Sequence, residues 1–228
     1  MKINFKPKLS LKNFNNKGNI INSVLFSLWS VHEAYMIKSY NIELHPIYES
    51  VFHILTLTWQ YVGLFIVAHD LHHSEKPDIY QNILGRLCLL CYGGFTLEDF
   101  SKKHKLHHQY PGVNNKDPDF HDGNSIVWYL NFMLRYINLK QGFIQLSIYL
   151  LAKYIEIENQ SMILFWLLPS ILASIQLFYY GTFLVHEKNG IIKTSNLPSW
   201  LVTLTSYNFG YHQNHHKNPK TPWFDLKK

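Results

Sequence analysis

Cysteine is scarce in this sequence, with 2 residues among 228, and this scarcity excludes a disulfide framework. The leucines between Cys88 and Cys91 predict two small, buried apolar side chains at these positions. Acidic residues are also few, 15 against 21 Lys and Arg, which gives a formal net charge of +6. No recognisable nucleic-acid module accompanies the basic excess, so we expect no nucleic-acid partner.

Charged residues are missing from two long stretches, and this absence predicts membrane-spanning helices. Residues 51–68 and 161–185 contain no Asp, Glu, Lys or Arg, and about 20 helical residues cross the hydrocarbon core of a bilayer. Two weaker candidates are apolar segments that carry a few charged side chains. The sequence therefore predicts an all-α integral membrane protein with about four spans, at about 21–38, 50–68, 141–156 and 161–185.

The positions of the basic residues predict how these spans are oriented. Short connections after the first and third spans would pair the helices into two hairpins. Of the 21 Lys and Arg, all but Lys38 and Lys153 then fall on one face, and basic residues are retained in the cytoplasm. We therefore expect a single domain over residues 1–228, a cytoplasmic tail over residues 1–20, both termini in the cytoplasm and no cleaved signal peptide.

Histidine is abundant, and its spacing is the most informative pattern in the chain. The 14 histidines include three His-x-x-His-His triplets, which begin at His69, His104 and His212. Positions i, i+3 and i+4 of an α-helix share one face, so each triplet can direct several imidazoles at one point. All three triplets fall on the predicted cytoplasmic face. The pattern therefore predicts a metal site at that face of the membrane.

The number and kind of these donors indicate what they bind. Neutral imidazole suits Zn, Cu, Fe and Ni, and an all-nitrogen set without Cys argues against a closed structural zinc site. A single tetrahedral ion takes four ligands, so eight or more converging imidazoles suggest two neighbouring ions. His186, directly after the fourth predicted span, adds to the set. A hydrogen-bonded polar residue at the membrane interface is the alternative interpretation of His186.

The residues of the first triplet are not equivalent. His69 and His73 are spaced i, i+4 and form a good pair, whereas His72 is adjacent to His73 and either ligates or points elsewhere. Asp70 either accepts a hydrogen bond from a ligand imidazole, which fixes the tautomer that binds metal, or caps the helix or forms a salt bridge. Neither role makes Asp70 a base, so we predict no catalytic residue beyond the metal ligands.

Motifs around these histidines give the sequence a family resemblance. The triplets are accompanied by Gln109-Tyr110-Pro111-Gly112, by Asp117-Pro118-Asp119-Phe120-His121, by the run from Leu177 to His186 and by Pro222-Trp223-Phe224. From about residue 20 to its end, the chain resembles the bacterial-type carotenoid 4-ketolases, the β-carotene ketolase branch of the membrane fatty-acid desaturase superfamily. Histidine boxes occur throughout that superfamily, whereas the other motifs point to its carotenoid ketolase branch.

The resemblance implies a di-iron oxygenase with transmembrane helices and a cytoplasmic helical cap. Such enzymes use O2 and electrons from an external reductant such as ferredoxin. They convert the carbon-4 methylene of a β-ionone ring of β-carotene to a ketone by successive hydroxylation, and so form echinenone or canthaxanthin. The iron ligands that the resemblance implies are His69, His73, His104, His107, His108, His186, His212, His215 and His216.

The resemblance also bears on residues near the metals. It places Asp117 and Asp119 in the cap, and a Pro-stiffened turn with an Asx hydrogen bond is the alternative explanation for them. Asn208 stands where relatives often have His, four residues before His212, and is expected to be a weak amide ligand or a group that holds water. The implied partners are a lipid-soluble carotenoid, membrane lipids and a soluble electron-transfer protein, which would dock on the basic face.

Other functions stay open at this point. A fatty-acyl desaturase or hydroxylase, with an acyl lipid as substrate, or a carotenoid hydroxylase would share the superfamily and its histidine boxes. A non-enzymatic metal transporter would instead place ligands at mid-depth in the bilayer.

Two further features of the predicted helices give testable expectations. His32, Glu33, His53 and Gln60 lie within predicted spans without ligand spacing, so we predict that they form hydrogen bonds between helices. Residues 128–136 are too short for a span and predict an interfacial helix with its aromatic face in lipid.

Overall fold

Helices make up the regular structure of the part of the chain that the structure describes. The computed structural model describes residues 11–74 and 77–228, and its α-helices are α1 (Leu11–Lys38), α2 (Ile47–His72), α3 (Ile79–Gly93), α4 (Leu97–Gln109), α5 (Ser125–Tyr136), α6 (Leu139–Tyr154), α7 (Asn159–Phe183), α8 (Ser199–Ser206) and α9 (His212–Lys217). Within these two ranges no β-strand occurs, and an isolated bridge joins His186 and Ile192. The all-α prediction is confirmed.

Two of the four predicted spans have the length and composition of membrane-crossing helices. These are α2, with 26 residues, and α7, with 25. The other two predicted spans coincide with α1 and α6, which do not meet the same test. α1 begins at Leu11, inside the predicted tail, and Lys2, Lys6 and Lys8 of that tail lie outside the described residues. The arrangement in four spans stays a prediction.

α2 is the central helix, and it packs against α1, α3 and α7. Gly63 lets the segment after α8 approach it, because a Cβ at Gly63 would lie 2.8 Å from the Tyr207 hydroxyl oxygen. That hydroxyl donates to the Trp59 carbonyl oxygen at 3.2 Å. This contact joins the chain segment before the third triplet to the helix that carries the first.

α3 and α4 form a hairpin that returns the second triplet to the first. A capping box starts α3, in which the Asp78 carboxylate accepts from the Gln81 N–H and the Gln81 side chain accepts from the Asp78 N–H. Gly94 follows the last residue of α3 and terminates the helix with a φ of +73°, which favours glycine. The reversal brings the ring of His104 to a centroid distance of 4.6 Å from the ring of His69.

The two cysteines of α3 pack in the interior, as the sequence predicts. Cys88 is buried and Cys91 is partly buried, and both thiols are free. Cys88 belongs to the apolar core around α2, and Cys91 packs against that core. Their role in packing is therefore confirmed.

α7 contains two π-helical segments, Met162–Leu167 and Phe178–Phe183. Such segments occur frequently at functional sites, and the second one ends three residues before His186. Gly181 within it lies against Phe209, where a Cβ would come within 2.7 Å of the aromatic ring. The end of α7 therefore approaches closely the segment that leads into the third triplet.

Polar side chains of the first two helices bond to one another. His32 Nδ1 lies 2.9 Å from Gln60 Oε1, and His32 Nε2 lies 2.9 Å from His53 Nδ1. The Tyr61 hydroxyl donates to the Glu33 carboxylate at 3.0 Å. These contacts join α1 to α2, so the predicted interhelical role of these residues is confirmed.

The helix predicted over residues 128–136 is present as α5, but the prediction that its aromatic face lies in lipid is wrong. Trp128 and Tyr136 are buried, and the exposed side chains of α5 are aliphatic ones such as Leu130 and Leu134. The Trp128 indole N–H donates to the Asp119 carbonyl oxygen at 2.7 Å, and the Tyr136 hydroxyl donates to the Asp119 carboxylate. Buried indole and phenol groups need such partners, and the protein interior supplies them here.

Candidate metal centre

Nine histidines from four parts of the chain gather in two groups. Within each group the candidate ligand nitrogens all lie within 4.8 Å of one another. The first group is His69, His73, His104, His108 and His215, and the second group is His107, His186, His212 and His216. The structure thus brings together all nine histidines that the family resemblance implies as ligands.

The first group forms where α2, α4 and α9 meet. α2 and the residue after it supply His69 and His73, α4 supplies His104 and His108, and α9 supplies His215. His104 Nε2 lies 2.7 Å from His73 Nε2 and 3.0 Å from His108 Nε2. His108 Nε2 also lies 3.1 Å from His215 Nε2. The i, i+4 spacing of each pair places both rings on one face of the chain, directed at the same point.

The second group forms where α4 and α9 meet the end of α7. His107 Nε2 lies 3.0 Å from His216 Nε2 and 3.4 Å from His212 Nε2, and the last two atoms are 3.0 Å apart. The ring centroid of His186 lies 4.6 Å from that of His212 and 4.9 Å from that of His107. His186 therefore completes the second group from a separate part of the chain.

The two groups adjoin. α4 supplies His107 to the second group and His108 to the first, and α9 divides His216 and His215 in the same way. The rings of His108 and His216 stack with their centroids 4.3 Å apart. Groups this close suit two ions side by side.

Hydrogen bonds determine the tautomers of two histidines in the second group. The His186 Nδ1–H donates to the Thr182 carbonyl oxygen at 2.8 Å, so Nε2 carries the lone pair. That Nε2 is buried and has no hydrogen-bond partner among the described residues. The His107 Nδ1–H donates to the Asp117 carboxylate at 2.9 Å, which leaves the His107 Nε2 lone pair facing the group. A bound cation would satisfy such buried lone pairs, which are costly when unpaired.

Asp70 lies between the first group and the C-terminal segment. Its Oδ1 is 3.4 Å from His69 Nδ1, and its Oδ2 accepts the Trp223 main-chain N–H at 2.6 Å. His69 Nε2 is buried, and no residue in the described part of the chain forms a hydrogen bond with it. Asp70 is therefore placed to orient His69, which is one of the two roles that the sequence left open.

The nitrogen spacings fit ions held by imidazole. Two nitrogens bound to one ion at about 2.1 Å lie about 3.0 Å apart at a right angle and about 3.4 Å apart at the tetrahedral angle. The shortest Nε2 separations, between contacting pairs such as His73 and His104 or His107 and His212, are 2.7 to 3.4 Å, and all candidate ligand nitrogens of a group lie within 4.8 Å of one another. Burial, and then repulsion from neighbouring histidines, lowers the pKa of His104, His212 and His215 well below the usual range. These side chains are therefore neutral at pH 7, the form that binds metal.

Two aspartates lie beside His107. The buried Asp117 carboxylate accepts from His107 Nδ1–H at 2.9 Å and from the main-chain N–H groups of Gly112 and Asp119, each at 2.8 Å. The bond from the Asp119 N–H is the Asx hydrogen bond that the sequence analysis gave as an alternative explanation. Asp117 therefore both contacts a candidate ligand and forms an Asx turn. Asp119 Oδ2 lies 3.7 Å from His107 Nδ1. Burial opposes protonation of His107, but Asp119 and Asp117 together raise its pKa.

Two residues singled out in the sequence lie outside both groups. His72 Nδ1 is 3.0 Å from the Ser101 hydroxyl, so this ring points elsewhere, one of its two predicted alternatives. The Asn208 amide oxygen accepts from the Thr203 hydroxyl at 2.6 Å, and its amide nitrogen donates to the Trp223 carbonyl oxygen at 3.1 Å. The amide of Asn208 therefore joins two C-terminal segments.

Three partners of the site were not evident from the sequence. Thr182 acts through its main-chain carbonyl group and Trp223 through its main-chain N–H, and main-chain groups leave no mark on a side-chain pattern. Tyr136 belongs to a helix whose aromatic face was expected in lipid. The Pro222-Trp223-Phe224 motif is the sequence feature that could have drawn attention to Trp223.

A cavity of about 360 Å³ reaches the histidines. Its wall is mainly apolar, with aromatic side chains such as Phe65, Phe100 and Phe178, and the rest of it comes largely from α5, α6 and α7. Five histidines from both groups form part of the same wall: His69, His104, His107, His186 and His212. The size and lining are typical of a small-molecule site.

Comparison with known proteins gives one family and several similar sequences. The Fatty acid desaturase family model matches residues 50–184 and 159–228. A "Beta-carotene ketolase" from one Paracoccus strain is 34% identical over 218 residues, which cover 91% of this chain and 89% of that protein. A second Paracoccus "Beta-carotene ketolase" is 32% identical, with 90% and 89% covered. A "Zeaxanthin 4-ketolase" from Chlamydomonas reinhardtii is 34% identical over 190 residues, 76% of this chain and 42% of that longer protein.

Proposed function

Because this chain belongs to the fatty acid desaturase family, we propose that it is a carotenoid 4-ketolase, which converts the carbon-4 methylene of a β-ionone ring of β-carotene to a ketone. One observation carries the proposal: two adjoining groups of histidines line a single apolar cavity. An apolar wall suits a lipid-soluble hydrocarbon, and the imidazoles suit a redox-active metal. The names of similar proteins support the choice of substrate.

We further propose that the two groups hold two iron ions. The five histidines of the first group would hold one ion, and the four of the second group would hold the other. The chemistry that such an iron pair supplies when bound is the reductive activation of O2, with electrons from an external donor such as ferredoxin. Asp70 and Asp117 orient His69 and His107 through their Nδ1 atoms, so that the Nε2 lone pairs face the groups.

The reaction balances as two oxidations of one carbon. Each hydroxylation takes up O2, two electrons and two protons and releases one water, and the second gives a geminal diol. Loss of water from the diol leaves the ketone. The part of the protein in these steps is to position the ring and to exclude water, and the aromatic wall of the cavity does both.

We propose a membrane arrangement that serves both reactants. α1, α2, α6 and α7 would form two hairpins across the bilayer, with the histidine groups and both termini at the cytoplasmic face. The polyene would then reach the cavity from lipid, while the soluble electron donor would dock on the basic cytoplasmic side.

The test is expression of the chain in cells that accumulate β-carotene, followed by analysis of the pigments. We expect echinenone and canthaxanthin, and we expect neither from a His215→Ala control. Correctly inserted, iron-loaded protein that forms neither ketone would overturn the ketolase proposal. New hydroxylated carotenoids or altered acyl chains in the same cells would favour a carotenoid hydroxylase or an acyl-lipid enzyme instead.

A further inference from the structure

We propose that Asp119 binds the hydroxyl group of the 4-hydroxy intermediate and so keeps it in the cavity for the second oxidation. This inference rests on the proposed function, because only a two-step oxidation of one carbon has such an intermediate. Asp119 is not one of the nine histidines proposed to bind iron, and it lies in a cluster with His107 and Asp117. It forms part of the cavity wall together with His104, His107 and His186.

One carboxylate oxygen of Asp119 is free to accept a hydrogen bond from the cavity. Oδ1 accepts the Tyr136 hydroxyl at 2.5 Å. Within the described residues, Oδ2 makes no hydrogen bond, and its neighbour His107 Nδ1, at 3.7 Å, is beyond hydrogen-bond reach. Among the described residues that form the cavity wall, Asp119 carries the one acidic side chain.

The residue is held firmly in this position. Its main-chain N–H donates to Asp117 Oδ1 at 2.8 Å, and its carbonyl oxygen accepts the Trp128 indole N–H at 2.7 Å. Together with the Tyr136 hydroxyl, these bonds anchor both the backbone and the side chain. An acceptor that is already in position loses little entropy when a ligand arrives.

The chemistry of the reaction makes this acceptor selective for one species. The starting methylene has no donor, so a hydrocarbon ring gains nothing from Asp119. The 4-hydroxy intermediate has an O–H group that can donate to the carboxylate, and such charge-assisted bonds are among the stronger ones. The ketone again has no O–H donor. Asp119 therefore favours retention of the intermediate and release of the product.

The first test measures how the product divides between alcohol and ketone. In cells that accumulate β-carotene, we expect Asp119→Ala to raise the ratio of 4-hydroxy to 4-keto carotenoid about tenfold, since one charge-assisted bond is worth that factor or more. Tyr136→Phe should shift the ratio in the same direction, because the Asp119 side chain loses the hydrogen bond that holds it in position. Tyr129→Phe is the matched control: its hydroxyl is also on α5 but lies 2.7 Å from the Ser174 hydroxyl, so the ratio should not change.

The second test measures binding without turnover. Purified iron-loaded protein without reductant is titrated with β-carotene and with its 4-hydroxy derivative. We expect the wild type to bind the alcohol about tenfold more tightly than the hydrocarbon, and Asp119→Ala to bind the two about equally. Iron content and thermal stability of each variant show whether the metal groups and the fold are intact.

The outcomes separate this inference from the proposed function. If wild-type protein forms ketone but Asp119→Ala and Tyr136→Phe form only ketone at a lower rate, the retention role is wrong and the ketolase function stands. Equal affinity of the wild type for alcohol and hydrocarbon also overturns retention. If the wild type forms no ketone, the proposed function itself fails.

Discussion

Replacement of Asp117 by Asn should weaken metal binding in one of the two groups. The carboxylate accepts three N–H donors, two on Oδ1 and one on Oδ2. An amide can accept on one side only, so Asp117→Asn places an NH2 group against at least one of these donors. In the better orientation the amide keeps the bonds from His107 and Asp119 and loses the one from Gly112.

The expected magnitude follows from these contacts. A lost hydrogen bond to a charged acceptor is worth about 1.5–3 kcal/mol. His107 also loses its anionic partner, and removal of such partners costs about 10–100-fold in metal affinity. We therefore expect the affinity of the second group for iron to fall by about 10–100-fold, while the first group, which Asp117 does not touch, changes little.

Competition with a chelator measures this effect: the number of iron ions bound per chain is determined as the chelator concentration is increased. Asp117→Asn should lose one iron early and keep the other as the wild type does. Asp122→Asn is the control, because Asp122 is partly exposed and faces Lys188 across 3.6 Å. If Asp117→Asn retains both ions as tightly as the wild type, the role given to the carboxylate is wrong. If the variant loses both ions equally, the assignment of His107 to one group is wrong.

Three further predictions address the ligands, the packing and the electron donor. His215→Ala removes a nitrogen from the first group and should abolish ketone formation while membrane insertion stays unchanged. His45→Ala, at a residue outside both groups, should keep its activity. Pigment analysis measures the activity of each variant, and membrane fractionation measures its insertion. Gly63→Ala should cost about 1–3 kcal/mol of stability, because its Cβ would meet the Tyr207 hydroxyl at 2.8 Å. Gly142→Ala, whose Cβ would have no described residue within 4 Å, should be neutral or stabilising in a thermal unfolding assay. With a soluble acidic donor, steady-state rates should fall as salt rises, and a rate indifferent to salt between about 20 and 300 mM would count against docking on the basic face.

The candidate ligands could be identified from sequence, whereas their division into two groups could not. Triplet spacing marked the histidines because i, i+3 and i+4 share a helix face. Adjacent residues of a helix, such as His107 and His108, point in different directions. Which group each one joins depends on how α4 packs against α9 and the end of α7, and this packing is not encoded in local spacing.

Burial and main-chain contacts explain the remaining differences between prediction and structure. The aromatic residues of α5 resemble a lipid-facing set, yet Trp128 and Tyr136 point inward, because Asp119 supplies an acceptor for each. The apolar runs predicted α2 and α7 well. The mixed composition of α1 and the 16-residue length of α6 explain why these two helices do not pass the span test that α2 and α7 pass.

The most direct test of the account is the iron stoichiometry of the purified protein, measured together with Mössbauer spectroscopy after loading with enriched iron. Two adjoining groups of imidazoles predict two irons per chain with the spectrum of a coupled pair. Saturation at one iron per chain, or two irons that show no coupling, would contradict the assignment of the nine histidines to a di-iron centre.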